Sequence, residues 1–380
     1  MWDTIKRWLG KPVAIAGMTS SEATQRHPPV IWIPAEKSKW HVPVADIRSI
    51  TQGVVSGTSN PEFAMNAVSW SQEDGRSFIG ELPPDSRAIS ANLRYRNDSH
   101  LADGVLFSPR EMEHKWAIFY HDTRIIAVRS WTRRVQLVAE TRLEDGFLHI
   151  ESLLVAADPP GEDGDHLRCF DFLIRSHALG LIYPAPIPSG EWTDLNSMGM
   201  LCYSWFGNLA HFASSNVIPF EPPNESLRTD SLLHIGVAKS DSDLVRSQIA
   251  AGVPITILAR DGLAPAHWAL ATDGTAMLQL LLELGSPVDV RSIEDATALM
   301  NAVQAGNQAA VELLIGRGAD VNAVDHRGFT ALHRGAEMGN KDLVIILLRH
   351  GANPNLNARG HTPRSLAVSQ GHTEIVNLLR

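Results

Sequence analysis

The residues that could do chemistry lie scattered over the first 225 positions. His149-Ile150-Glu151 carries the H-x-E fragment with which zinc deaminases hold a metal and a proton-shuttling glutamate. That chemistry also needs a downstream P-C-x-x-C, which Cys169 and Cys202 do not supply. On a strand, His149 and Glu151 would share one face, so a cross-strand polar pair is expected. His121-Asp122 sets an imidazole beside a carboxylate, which is acid–base equipment and also ordinary turn composition. Arg129-Ser130-Trp131-Thr132-Arg133-Arg134 is the sharpest local feature. Arginines beside a tryptophan can recognise a carboxylate, a phosphate or an RNA base. The alternative is a hairpin whose arginines face water while Trp131 packs inward. Arg129, Arg133 and Arg134 are where an anion would be sought. The carboxylates of Asp158–Asp165 invite a calcium reading, but their spacing is not that of an EF-hand, and a solvated acidic loop is expected. The sequence contains no G-x-G-x-x-G, P-loop, G-x-S-x-G, H-E-x-x-H or C-x-x-C phrase. No cofactor, metal ligand or catalytic residue is therefore assigned.

The elements that would position these residues are mostly strands. Lys115–Tyr120, Arg124–Trp131, Val135–Arg142 and Phe147–Leu154 read as a β-meander, with Asp145-Gly146 as a hairpin turn. Val30–Ile33 and Phe78–Leu82 are further strand candidates. His166–Leu179 reads as a helix closed by Gly180. Pro184, Pro186 and Pro188 argue against regular structure after it, and Thr193–Ala213 reads as an apolar helix. The order predicts an α+β domain over 1–220 with a mostly antiparallel sheet. Residues 221–227, introduced by Ile218-Pro219-Phe220, read as a linker.

The composition is that of a folded chain. It has 380 residues, 44% of them hydrophobic and 20% charged, which suits two or three domains. The net charge of −9 argues against a protein whose main work is gripping DNA or an anionic membrane. No apolar run approaches the roughly 18 residues that cross a bilayer. Val13–Met18 is shorter than the roughly 7–15 residues of a signal-peptide core, so a cytoplasmic protein without membrane insertion is expected. Cys169 and Cys202 read as buried small hydrophobes. Aromatic residues divide the chain: only Trp268 and Phe329 lie beyond residue 225.

Beyond that boundary the sequence repeats. Glycines stand at 252, 285, 318 and 351, each closing an apolar run, and a second series stands at 306, 339 and 371. A period near 33 means stacked supersecondary units. Thr297, Thr330 and Thr362 suit helix N-caps, and Pro265 and Pro363 suit first helical turns. Ala264-Pro265-Ala266-His267-Trp268-Ala269, Thr297-Ala298-Leu299-Met300-Asn301-Ala302, Thr330-Ala331-Leu332-His333-Arg334-Gly335 and Thr362-Pro363-Arg364-Ser365-Leu366-Ala367 recur in phase. With Gly318-Ala319-Asp320-Val321-Asn322-Ala323 and Gly351-Ala352-Asn353-Pro354-Asn355, they make residues 228–380 resemble ankyrin repeats. The resemblance implies an all-α solenoid of five units, near 228–258, 259–291, 292–324, 325–356 and 357–380. It also implies a protein partner, and scaffold roles for His267 and His333.

Positions that do not serve the scaffold are the candidates for contact. At the hairpin tips these include Arg260, Leu263, Ile293, Glu294, His326, Arg327, Phe329, Arg359 and His361. On the first helices they are Trp268, Asn301 and Arg334. Trp268, Phe329 and Arg334 are favoured as anchors, because interaction hot spots favour aromatic residues and arginine. Packing within the scaffold is the competing reading for Trp268. The leading expectation is an adaptor that docks a protein on the concave face, with the N-terminal domain as a second binding or effector module. An enzyme or toxin-like effector with chemistry in the first domain, and a stoichiometric inhibitor or immunity-type protein, stand as alternatives.

Overall fold

The structure is a computed structural model. It describes residues 30–51, 56, 58, 60–97, 100–156, 162–187, 195–207, 211–214, 221–272 and 275–380. The run Val13–Met18, the loop start Asp158–Gly161, Pro188, the linker start Ile218-Pro219-Phe220 and the turn Asp273-Gly274 lie outside these residues. The chain divides into two compact units, Met1–Thr229 and Asp230–Arg380.

The first unit is built on an antiparallel sheet. Its strands here are β3 (Arg87–Arg96), β4 (Gly104–Phe107), β5 (Trp116–His121), β6 (Arg124–Arg129), β7 (Arg134–Glu144) and β8 (Phe147–Val155), in the order β4-β5-β6-β7-β8-β3. A smaller sheet holds β1 (Ile31–Ile33), β2 (Val44–Asp46), β9 (Ala185–Ile187) and β10 (His211–Ser214) in the order β1-β2-β10-β9. The meander is as its sequence predicts. The β5–β6 and β7–β8 turns are two-residue turns with positive φ at both positions, Asp122 and Thr123 in one, Asp145 and Gly146 in the other. That hand of turn matches the twist of the strands it joins.

β5 is buried along its whole length because both of its faces are covered. Trp116, Ile118 and Tyr120 join the main core with the helices Asp163–Leu173 and Leu195–Phe206. Phe119 points the other way and stacks on Trp70 and Phe78 at 6.2 and 5.7 Å. Cys169 and Cys202 are free and buried in the main core, and burial pushes the Cys169 thiol up to about 12.

Four local expectations need correction. Phe78–Leu82 is no strand: Arg76–Phe78 is a 3-10 turn that delivers Phe78 to the aromatic stack. Helix Asp163–Leu173 does not run straight to Gly180 but passes into a π-turn, Ile174–Ala178. Thr193–Ala213 is not one helix: it ends at Phe206, and His211–Ser214 is β10. The break falls at Gly207, whose φ of +85° is left-handed and whose position leaves no room for a Cβ, which would meet the Glu113 carbonyl oxygen at 1.9 Å. Finally, Pro186 lies within β9, the edge strand of the small sheet, where a missing N–H is tolerated.

The segment read as a linker is tied to β3 at its end. Leu227 is fully buried, its N–H donates to the Arg96 carbonyl at 2.8 Å, and the Asn97 amide donates to the Leu227 carbonyl at 2.9 Å.

The second unit stacks five helix pairs. The first helices are Leu232–Ala238, Pro265–Trp268 (continued by a 3-10 turn), Ala298–Gln304, Ala331–Met338 and Pro363–Ser369. The second helices are Ser242–Ala250, Ala276–Glu283, Gln308–Gly316, Lys341–Arg349 and Thr373–Leu378. Thr297, Thr330 and Thr362 cap as their positions predict, each hydroxyl accepting the N–H three residues on. Asp241, Asn307 and Asn340 cap second helices the same way. Leu299, Val303, Val311, Leu314, Leu332, Val344 and Leu347 are fully buried between the stacked helices. No single pair could bury them alone.

Candidate functional site

Each repeat presents a hairpin tip followed by a first helix, and a histidine fixes the tip of the next repeat. In the fourth unit, the His333 Nδ1 accepts the Thr330 N–H at 3.1 Å and its Nε2 donates to the His361 carbonyl at 3.2 Å. His267 repeats this between the Ala264 N–H (3.3 Å) and the Ala296 carbonyl (3.1 Å). A carbonyl only accepts, so the ring is held as the Nε2–H tautomer. The scaffold role expected of His267 and His333 is what their geometry shows. Burial pushes both below the usual imidazole range.

Sequence reading overlooked the first member of this ladder. His234 sits between the Ser231 hydroxyl at 2.8 Å and the Leu263 carbonyl at 3.1 Å, and burial depresses it to about 3. Its signal was available: it stands three residues past a hydroxyl cap, as His333 does past Thr330. The third unit has Met300 at this position. Arg291, at the end of the second unit, instead bridges to the third, its guanidinium donating to the Asp295 and Val324 carbonyls at 2.7 Å each.

The tips are also linked by their backbones. The Ile293 N–H donates to the Gly262 carbonyl at 2.8 Å, and the His326 N–H to the Glu294 carbonyl at 3.1 Å. Ile293 itself remains 54% exposed. His326, Arg359 and His361 are exposed as well.

The favoured anchors are less free than their types suggest. Trp268 is half-buried, with its indole N–H on Asp261 at 3.0 Å and its ring edge-on to His234 at 5.1 Å. Phe329 is half-buried against His333 at 5.2 Å, under the guanidinium groups of Arg327 and Arg334 at 5.1 and 5.9 Å. Both arginines reach Asp325, Arg334 at 3.0 Å and Arg327 at 3.5 Å. Asp325 is nearly sealed from solvent and also accepts the N–H groups of Arg327 and Phe329 at 2.9 Å. Burial works against its charge, but those N–H groups and the two arginines outweigh it and hold the carboxyl below the usual range. Asp325 was not singled out from sequence, yet it organises three residues that were. Arg260 pairs loosely with Asp230 at 3.7 Å, Leu263 serves the ladder through its carbonyl, and Asn301 is a half-buried residue of its helix.

In the first unit the three arginines do not form one open cluster. Arg129 donates to the Trp205 and Ser204 carbonyls at 2.6 and 3.3 Å and lies over the Trp116 and Trp205 rings. Burial brings it down to about 10. Arg133 donates to the Ser69 carbonyl at 3.3 Å and lies over Trp70. Arg134 is exposed opposite Arg129, and Trp131 packs inward with its N–H on the Met112 carbonyl. His121 is buried with Nε2 on the Asp74 carbonyl at 2.7 Å, while Asp122 occupies the turn outside. Glu151 pairs across the sheet with Arg142 at 2.8 Å. Among the described residues no three His, Cys, Asp or Glu groups converge on a metal position. No helix among them is long and apolar enough to cross a membrane.

Residues 233–325 and 318–380 match the family model described as ankyrin repeats (3 copies). The match falls on the second unit, whose stacked helix pairs are ankyrin repeats, a module of protein–protein interaction. No curated protein matches the chain.

Proposed function

We propose that the chain is an interaction protein whose repeats hold a protein partner on the face formed by the hairpin tips and first helices. The observation that carries this reading is the tip backbone. The tips of the second, third and fourth units are bonded through their backbones and His333 holds the fifth, while the side chains of Ile293, His326, Arg359 and His361 stay in solvent. A surface fixed before binding loses little conformational freedom on association. Trp268, Phe329 and Arg334 then act as half-buried anchors at the base of that face, and the exposed tip residues choose the partner. Work in the cytoplasm as an adaptor is part of the same reading, supported by the composition.

Full-length protein is used to capture partners from lysate beside a variant carrying Ile293→Asp and Arg359→Glu. Both positions are exposed, so the variant keeps the fold, which its melting curve checks. A stoichiometric protein held by the wild type and lost by the folded variant is the expected result. Equal retention by both would show that the partner sits elsewhere.

A further inference from the structure

Three segments of the first unit meet at Lys115. It precedes β5 and lies against Ser56 and beside Tyr203 of helix Leu195–Phe206. The Lys115 ammonium nitrogen lies 2.6 Å from the Ser56 hydroxyl and 2.8 Å from the Met112 carbonyl. The Ser56 hydroxyl lies 2.9 Å from the Tyr203 hydroxyl. The Ser56 N–H is pinned to the Glu113 carboxylate at 3.0 Å, which fixes the backbone that presents Oγ. The Lys115 nitrogen also sits over the Trp131 ring at 4.1 Å. An amine, an alcohol and a phenol are thus in hydrogen-bond sequence, 59 and 147 residues apart along the chain.

We propose that Ser56 is a nucleophile, with Lys115 as its base, that accepts the acyl group of a small carboxylic ester. The requirement for such chemistry is a base within hydrogen-bond reach of the nucleophile, itself oriented by a third group. Met112 orients the amine, and Tyr203 is the second group on Oγ. The amine must be neutral to act. Burial, helped by the neighbouring Arg129 guanidinium and opposed by the Glu113 carboxylate, brings Lys115 down to about 7. His114, next in the chain, is itself pushed down by burial. The Tyr203 phenol is raised by burial and stays protonated near neutrality. In the neutral amine the 2.6 Å contact runs from the Oγ–H to the nitrogen lone pair.

The step balances without a cofactor. Oγ forms a bond to the carbonyl carbon as its proton passes to the Lys115 nitrogen. The tetrahedral adduct then breaks its bond to the ester oxygen, which leaves as the alcohol after taking the proton from the Lys115 ammonium. Water, deprotonated by the regenerated amine, releases the acid from acyl-Ser56. Ser56 is 9% and Lys115 5% exposed, so little of either side chain can be reached from solvent. The acyl group must therefore be small.

The test treats the full chain with a fluorophosphonate probe and, separately, with p-nitrophenyl acetate, and maps the adduct by peptide mass spectrometry. The expected adduct is on Ser56, and its rate of formation rises through a midpoint near pH 7. Lys115→Met lowers that rate roughly 100-fold or more, the usual reach of a general base, and Ser56→Ala removes the adduct. Melting curves identify any variant that fails to fold. If Lys115→Met does not fold, the wild-type pH profile and Tyr203→Phe take its place, with a slower rate expected in that variant. Absence of an adduct on Ser56 in the folded wild type overturns the proposal. So does a rate flat across pH 6–8, or one unchanged by Lys115→Met.

Discussion

Both units bury histidines and carboxylates, but they satisfy them over different distances along the chain. In the repeats a buried polar atom finds its partner three residues away, as Thr330 does in His333, or one repeat further, as His234 does in Leu263. In the first unit Tyr95 meets Asp171 across 76 residues, and Lys115 meets Ser56 across 59. Local satisfaction is repeated and shared, so no single link carries the solenoid. Long-range satisfaction concentrates the cost of a change at a few positions.

The sharpest way to break this contrast is at Asp171. It is buried, accepts the Tyr95 hydroxyl at 2.9 Å and pairs with the Arg175 guanidinium at 2.8 Å. Asp171→Ala leaves that guanidinium buried without its carboxylate, and about 3–5 kcal/mol of stability should be lost. Urea unfolding of the full chain, followed by tryptophan fluorescence, measures it. A loss under 1 kcal/mol would mean that the network is not holding the sheet to its helix.

Acid gives the next effect, in the repeats. His234, His267 and His333 are all depressed by burial, so the unfolded chain binds more protons below its ordinary histidine value. Their contribution is intact above about pH 6.5, declines as pH falls from there toward each folded value, and is fully lost below it. For His234, falling from the ordinary 6.5 to about 3, the loss between pH 7 and pH 5 is about 2 kcal/mol. Circular dichroism melts across that range check the direction. His234→Asn should flatten the dependence.

Smaller still is Thr330→Ala, which removes one cap hydroxyl and should cost about 1 kcal/mol in the same melts. Last comes Lys341→Ala. Its ion pair with Glu374, at 2.8 Å, lies in solvent, and the melting temperature should not move.

The same contrast explains what could be read from sequence. The meander was legible because Asp145-Gly146 and His121-Asp122-Thr123 are local turns between apolar runs. The repeats were legible because their caps and glycines recur in phase. Helix Thr193–Ala213 was overextended because its stop, Gly207, is set by the distant Glu113 carbonyl. The contact positions on the repeats were legible by type, but their engagement was not. Arg334 is held by Asp325 nine residues before it and Trp268 by Asp261 seven before it, spacings that no local pattern marks. Ser56 and Lys115 could not be paired from sequence at all, since nothing local joins them.

The central claim is that the tips and first helices of the repeats form the binding face. Hydrogen–deuterium exchange of the full chain, alone and with the captured partner, tests it most directly. Protection is predicted in segments spanning 260–268, 293–301, 326–334 and 359–361. Protection confined to the second helices or to the first unit would contradict the account.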